Sequence, residues 1–250
     1  MAIFITCPCG EQYKEKIVDI LGVQIRSRCP ACDGDPKGTQ KGRETALAAL
    51  DLAEKVARNT RLALIPPRFE DSTLENYDIS VSQNAEVAYF YAAQYCDKIK
   101  ECVEGGVSMI FAGTHGTGKT HLGISILKKA LGIGLTGQFI SARNIPLGIK
   151  DTYHQTKSEL GAIREFVTPQ LLIIDELRQE DVKGPNSDWG RGKLFAVLDE
   201  RYLAKKATII TSNITRELVR ECLTAEGLDR LLQGKLKERM PIFDWESYRK

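Results

Sequence analysis

Gly113-Thr114-His115-Gly116-Thr117-Gly118-Lys119-Thr120 fits the pattern G-x-x-x-x-G-K-[ST]. The apolar run Met109-Ile110-Phe111-Ala112 precedes it and the helical stretch HLGISILKKAL follows it. That strand–loop–helix context is what the pattern needs to be read as a phosphate loop rather than a chance Gly-rich turn. The glycines let the backbone curl until successive N–H groups point at phosphate oxygens, and the start of the helix adds a favourable dipole. Lys119 brings positive charge to the β- and γ-phosphates, and the Thr120 hydroxyl is a ligand for Mg²⁺. All eight residues are therefore candidate contacts for ATP with Mg²⁺.

Two further strand ends extend the site. In Leu171-Leu172-Ile173-Ile174-Asp175-Glu176, four apolar residues place Asp175 at the carboxyl end of a buried strand, where an open α/β sheet binds its ligands. Asp175 is expected to hold the magnesium through water, and Glu176 to polarise an attacking water. A small-molecule kinase needs no water activator, so the pair favours hydrolysis of ATP. In Ala207-Thr208-Ile209-Ile210-Thr211-Ser212-Asn213 the strand ends in small polar residues and an amide. Asn213 either bonds the lytic water or the γ-phosphate, or caps the following helix.

The same alternation runs through the rest of the chain. Strands are predicted over 108–113, 137–142, 170–176 and 206–213, with helices over 84–103, 119–131 and 192–204. Strand–helix alternation implies an α/β fold with a parallel sheet covered on both faces. Residues 44–61 are rich in Ala and Leu and free of Gly and Pro. Ala46, Leu50, Ala53 and Ala57 recur at helical spacing, and Pro66-Pro67 ends the helix. The chain of 250 residues thus divides into a module over 1–42, a linker helix over 43–62 and an ATPase domain over 63–250.

The balance of 35 basic against 33 acidic residues excludes a polyacidic disordered chain or a histone-like tail, but not a local nucleic-acid surface. No apolar run approaches the ~18 residues of a membrane span. The opening MAIFITCPCG lacks the marks of a signal peptide. A cytoplasmic location is the expectation. In a reducing compartment, clustered cysteines more often bind metal than pair. Cys7-Pro8-Cys9 and Cys29-Pro30-Ala31-Cys32 are separated by nineteen intervening residues. Four thiolates at about 2.3 Å close a tetrahedron around Zn²⁺. Some forty residues carry too little apolar surface to fold without such a staple. Cys96, Cys102 and Cys222 are isolated in helical patterns and read as inert.

GTHGTGKTHL, LLIIDEL and TIITSN, in this order, resemble the AAA+ ATPases of the DnaC-type replicative helicase loaders. Lys150-Asp151-Thr152-Tyr153 is similar to that family's K-D-T-[FY] segment, and Phe243-Asp244-Trp245-Glu246-Ser247-Tyr248-Arg249 to its F-N-W-D-S-Y-R ending. The resemblance covers roughly 63–250. It implies an AAA+ sheet and a hexameric replicative helicase as partner. It also implies ATP-dependent self-assembly and contact with single-stranded DNA through 150–163, where Lys150, Tyr153 and Lys157 offer charge and a stacking ring. It carries the sensor 2 role to Arg230, in Asp229-Arg230-Leu231, beside Lys119, Asp175, Glu176 and Asn213. The family's trans-acting arginine falls where this chain has Glu226, leaving Arg220 and Arg201 as candidates. The added cysteine module suggests a phage or prophage loader in a bacterial host. A transposition helper of the IstB type shares the same core and is the alternative.

Overall fold

The computed structural model describes residues 4–7, 10–15, 17–20, 23–27, 29, 40–151, 158–178, 187–223, 225–233 and 239–248. The chain divides into two compact units, Met1–Ala57 and Arg58–Lys250.

The first unit carries two antiparallel hairpins. β1 (Phe4–Thr6) pairs with β2 (Gln12–Lys14), and β3 (Ile17–Ile20) with β4 (Val23–Arg26). The β1–β2 link is closed by Cys7 N–H donating to Glu11 O at 2.8 Å and Gly10 N–H donating to Cys7 O at 2.8 Å. Helix α1 (Gln40–Leu62) begins in this unit and runs four residues earlier than the Ala/Leu stretch suggested. Leu47 and Leu50 on this helix are 66% and 50% exposed.

The second unit is a five-stranded sheet in the order β6-β7-β8-β5-β9, with every pairing parallel. β5 (Met109–Gly113), β6 (Gly137–Ser141), β7 (Leu171–Leu177) and β8 (Ala207–Ser212) lie within a residue of the predicted strands. β9 (Ile242–Phe243) has no counterpart among them. Successive side chains of a strand point to opposite faces, and both faces here are covered, which is why the strands read as unbroken apolar runs. Met109, Phe111, Ile173 and Ile209 join one core with α2 (Gln83–Asp97), α3 (Ile99–Glu104) and α4 (Lys119–Gly132). Ile110, Leu172, Ile174 and Ile210 join the other. Its helices are α5 (Asn144–Asp151), α6 (Glu159–Val167), α7 (Ser187–Leu203), α8 (Arg216–Leu223) and α9 (Ala225–Leu232).

The single helix expected over 84–103 is two, broken at Lys98, whose φ of −111° and ψ of 31° leave the helical region. Cys96 is buried, and burial pushes its thiol up to about 12, which fits the inert role read from sequence. Among the described residues no helix is long and apolar enough to cross a membrane.

Candidate nucleotide site

The carboxyl ends of β5, β7 and β8 and the N-terminus of α4 converge on a cleft of about 810 Å³. Lys119, Thr120, Asp175, Glu176, Thr211 and Asn213 all line it, together with Tyr77, Arg143 and Tyr248. Lys119 and Asn213, 94 positions apart, thus meet because parallel strands deliver all their carboxyl ends to one edge of the sheet.

The loop over 113–118 depends on glycine where the chain approaches itself. Gly113 has φ 144°, and a Cβ there would sit 1.9 Å from Phe243 O. That approach lets Thr114 N–H donate to Phe243 O at 2.7 Å, while the Thr114 hydroxyl donates to Trp245 O at 3.1 Å. Further along, Tyr248 N–H donates to Gly116 O at 2.9 Å, and the Tyr248 hydroxyl to Asp78 O at 2.5 Å. The segment over 243–248 is therefore strapped along the phosphate loop. Tyr77 completes the wall: its hydroxyl donates to Thr117 O at 3.1 Å, and its ring meets that of Tyr248 edge-on at 5.8 Å. The Lys119 ammonium lies within the loop, 3.1 Å from Gly113 O and 2.5 Å from Thr114 O.

Asp175 accepts two hydroxyl bonds on one oxygen, from Thr120 at 2.7 Å and Thr211 at 2.6 Å. Burial pushes its carboxyl above the usual range, and these two bonds partly oppose the shift. Glu176 adopts φ 62° at an irregularity in the β7–β8 pairing. Its carboxylate pairs with Arg178 Nη2 at 2.8 Å. A hydroxyl and a carboxylate 2.7 Å apart form the hard oxygen donor set that suits Mg²⁺.

Asn213 lines the cleft, and the helix-capping alternative is filled by Thr215, whose hydroxyl accepts from Leu218 N–H at 3.4 Å. Arg230 lies on α9, pairs with Asp199 at 3.2 Å, and is not among the residues lining the cleft. Arg201 is corrected as a trans-acting candidate. It is fully buried, donating to Phe166 O at 2.7 Å, Pro169 O at 2.9 Å and the Thr208 hydroxyl at 2.9 Å, so it cannot reach another subunit. Arg220 is exposed on α8. Thr211, Arg178 and the 243–248 strap also adjoin the acidic pair or the loop, and no local sequence pattern marks them as part of the site. Thr211 looked like one β-branched strand residue among several, and its hydroxyl role arises only from the neighbouring strand.

Cys7 and Cys29, two of the four expected zinc ligands, are buried, and their sulfurs are the right donor chemistry for the metal. Cys9 and Cys32 lie outside the described residues. Among the described residues no three His, Cys, Asp or Glu side chains gather to hold a metal. Of the expected DNA-contacting stretch, Lys150 is exposed on the last turn of α5, and Tyr153 and Lys157 lie outside the described residues.

A parallel sheet in this strand order, with a phosphate loop and an acidic pair at its carboxyl edge, defines a P-loop domain of the AAA+ fold. The chain belongs to the family of IstB-like ATP binding proteins, which it matches over residues 45–250. It is 30% identical over 217 residues to the insertion sequence IS5376 putative ATP-binding protein of Geobacillus stearothermophilus, covering 81% of this chain and 78% of that one. It is 24% identical over 186 residues to the uncharacterized protein YdaV of Escherichia coli (strain K12), covering 74% and 71%. Among solved structures, the DnaC helicase loader superposes with a TM-score of 0.56 at 24% identity, over 72% of this chain and all of that one. DnaI superposes with a TM-score of 0.53 at 14% identity, over 74% and 93%.

Proposed function

We propose that the chain hydrolyses ATP in this cleft and uses the cycle to load a hexameric replicative helicase onto single-stranded DNA. The observation that carries the enzymatic part is the meeting of Lys119, Thr120, Asp175, Glu176 and Asn213 on one cleft. Lys119 supplies fixed positive charge to the terminal phosphates, and the backbone amides of the loop supply aligned dipoles. Thr120 and Asp175 would hold Mg²⁺, which neutralises phosphate charge. The Glu176 carboxylate orients the attacking water and takes up its proton, and the Asn213 amide donates to the γ-phosphate or the water.

The loader part is supported by the 243–248 segment, which closely resembles the loaders' ending and lies along the phosphate loop. In this reading α1 and the first unit, held by Zn²⁺ through Cys7, Cys9, Cys29 and Cys32, grip the helicase. The ATPase domains self-assemble around ATP, Arg230 senses the nucleotide, and the 150–163 stretch contacts single-stranded DNA.

A second reading, an ATPase that assists a transposase, is favoured by the relative encoded in an insertion sequence. Mixing the protein and ATP with a hexameric replicative helicase or with a transposase, and measuring complex mass, separates the two. A stable helicase complex is expected. Capture of the transposase alone would overturn the loader reading and leave the ATPase reading standing.

A further inference from the structure

We propose that Thr211 is a positioning residue for hydrolysis, its hydroxyl holding the β-bulge that turns Asp175 and Glu176 into the same cleft. The inference rests on the ATPase reading of the site.

Neighbouring residues of a strand point to opposite faces, so two consecutive acids in a regular β7 could not both serve one cleft. The pairing shows how this is avoided. Ile173 faces Ile209 and Ile174 faces Ile210, but the next pair is Leu177 with Ser212. β7 thus carries one residue more than β8 at this point, which is a bulge. The bulge is completed by Glu176 at φ 62°. Such bulges usually place glycine in the left-handed conformation, and a side chain there is strained. Something must hold it.

Thr211 lies on β8 opposite the bulge and is 2% exposed. Its hydroxyl accepts from Glu176 N–H at 2.9 Å and donates to Asp175 Oδ1 at 2.6 Å. The directions are fixed: an amide can only donate, so the single hydroxyl proton is the one given to the carboxylate. The amide that the ladder abandons at the bulge is thereby satisfied by a side chain. The Ser212 hydroxyl closes the far side, donating to Leu177 O at 2.6 Å. Thr211 spends its hydroxyl bonds on Glu176 and Asp175. It acts on the reaction through the orientation of its two neighbours.

Three proteins test this: wild type, Thr211→Val, which keeps the shape and β-branching, and Thr211→Ser, which keeps the hydroxyl. In Thr211→Val, kcat for ATP is expected to fall about 100-fold or more, the range of a lost general base. KM and the affinity for a fluorescent ADP analogue are expected to stay near wild type. Thr211→Ser is expected to recover most of kcat. Residue-resolved hydrogen exchange gives a readout independent of turnover: the Glu176 amide is expected to be protected in wild type and Ser, and to exchange faster in Val. Wild-type kcat in Thr211→Val, or an unchanged Glu176 amide, would overturn the assignment. A wild type that binds but never hydrolyses ATP would instead sink the ATPase reading, and the exchange experiment would then decide the bulge alone.

Discussion

Burial pushes the Asp175 carboxyl up from its ordinary range, so the folded chain holds that proton more tightly than the unfolded chain does. The sign follows: this group's contribution to stability is full in acid and is lost as pH rises through the folded value. Asp175→Asn is therefore expected to raise the Tm at neutral pH, to lose that advantage as pH falls toward the ordinary carboxylate range, and to abolish hydrolysis. Melting curves across pH check it. The neighbouring pair of Glu176 and Arg178 is half exposed on both sides, 40% and 43%, and contributes little to stability. In the proposed mechanism the pair acts on position instead, holding the Glu176 carboxylate on Arg178 rather than on an attacking water. Arg178→Ala is expected to raise basal kcat several-fold with Tm unchanged, whereas Glu176→Gln abolishes turnover and leaves ATP binding intact. Single-turnover hydrolysis beside equilibrium binding tells these apart. Lys119, Thr120, Asp175 and Glu176 were legible in the sequence because their chemistry is fixed by local spacing on either side of a strand end. Thr211 was not, since its role depends on a bulge in another strand. Arg201 misled for the same reason: nothing local signals that a charged helix residue will be sealed among backbone carbonyls.

β9 is two residues long, yet it anchors the strap across the phosphate loop. Phe243 is fully buried, with its ring 5.4 Å from Phe111 and 4.9 Å from Trp245. Phe243→Ala is expected to cost about 3–5 kcal/mol, the usual range for emptying a buried aromatic position. It is also expected to weaken nucleotide binding, because Phe243 O holds Thr114 N–H. Urea unfolding and nucleotide titration measure the two effects. The four longer strands were legible as apolar runs bounded by turns, whereas two residues carry no periodicity, so β9 was not. Helix ends blurred similarly. α2 and α3 form a continuous apolar pattern, and only the backbone at Lys98 shows the break.

At the scale of the chain a small cysteine-bearing unit is joined to a larger unit that holds the phosphate-loop cleft. Protein purified without chelator is expected to carry about one Zn²⁺ per chain. Stripping the metal is expected to unfold the hairpins and leave nucleotide binding untouched, which elemental analysis and ADP-analogue titration would show. Leu47→Asp with Leu50→Asp changes two exposed side chains, so Tm is expected to hold while helicase capture is lost. If the folded variant still captures helicase, the grip lies elsewhere in the first unit. The strap also gives the molecule a history. Thr114 and Phe243, which meet beside the phosphate loop, are 129 residues apart in the chain. A ribosome working at 5–20 residues per second needs roughly 6–26 s to travel from one to the other. Through that interval the nascent chain displays a complete phosphate-binding pattern without the segment that shapes it. Nucleotide capture during synthesis is therefore expected to be a late event, timed by the emergence of the strap rather than by the making of the loop, and nucleotide titration of stalled nascent chains would check it.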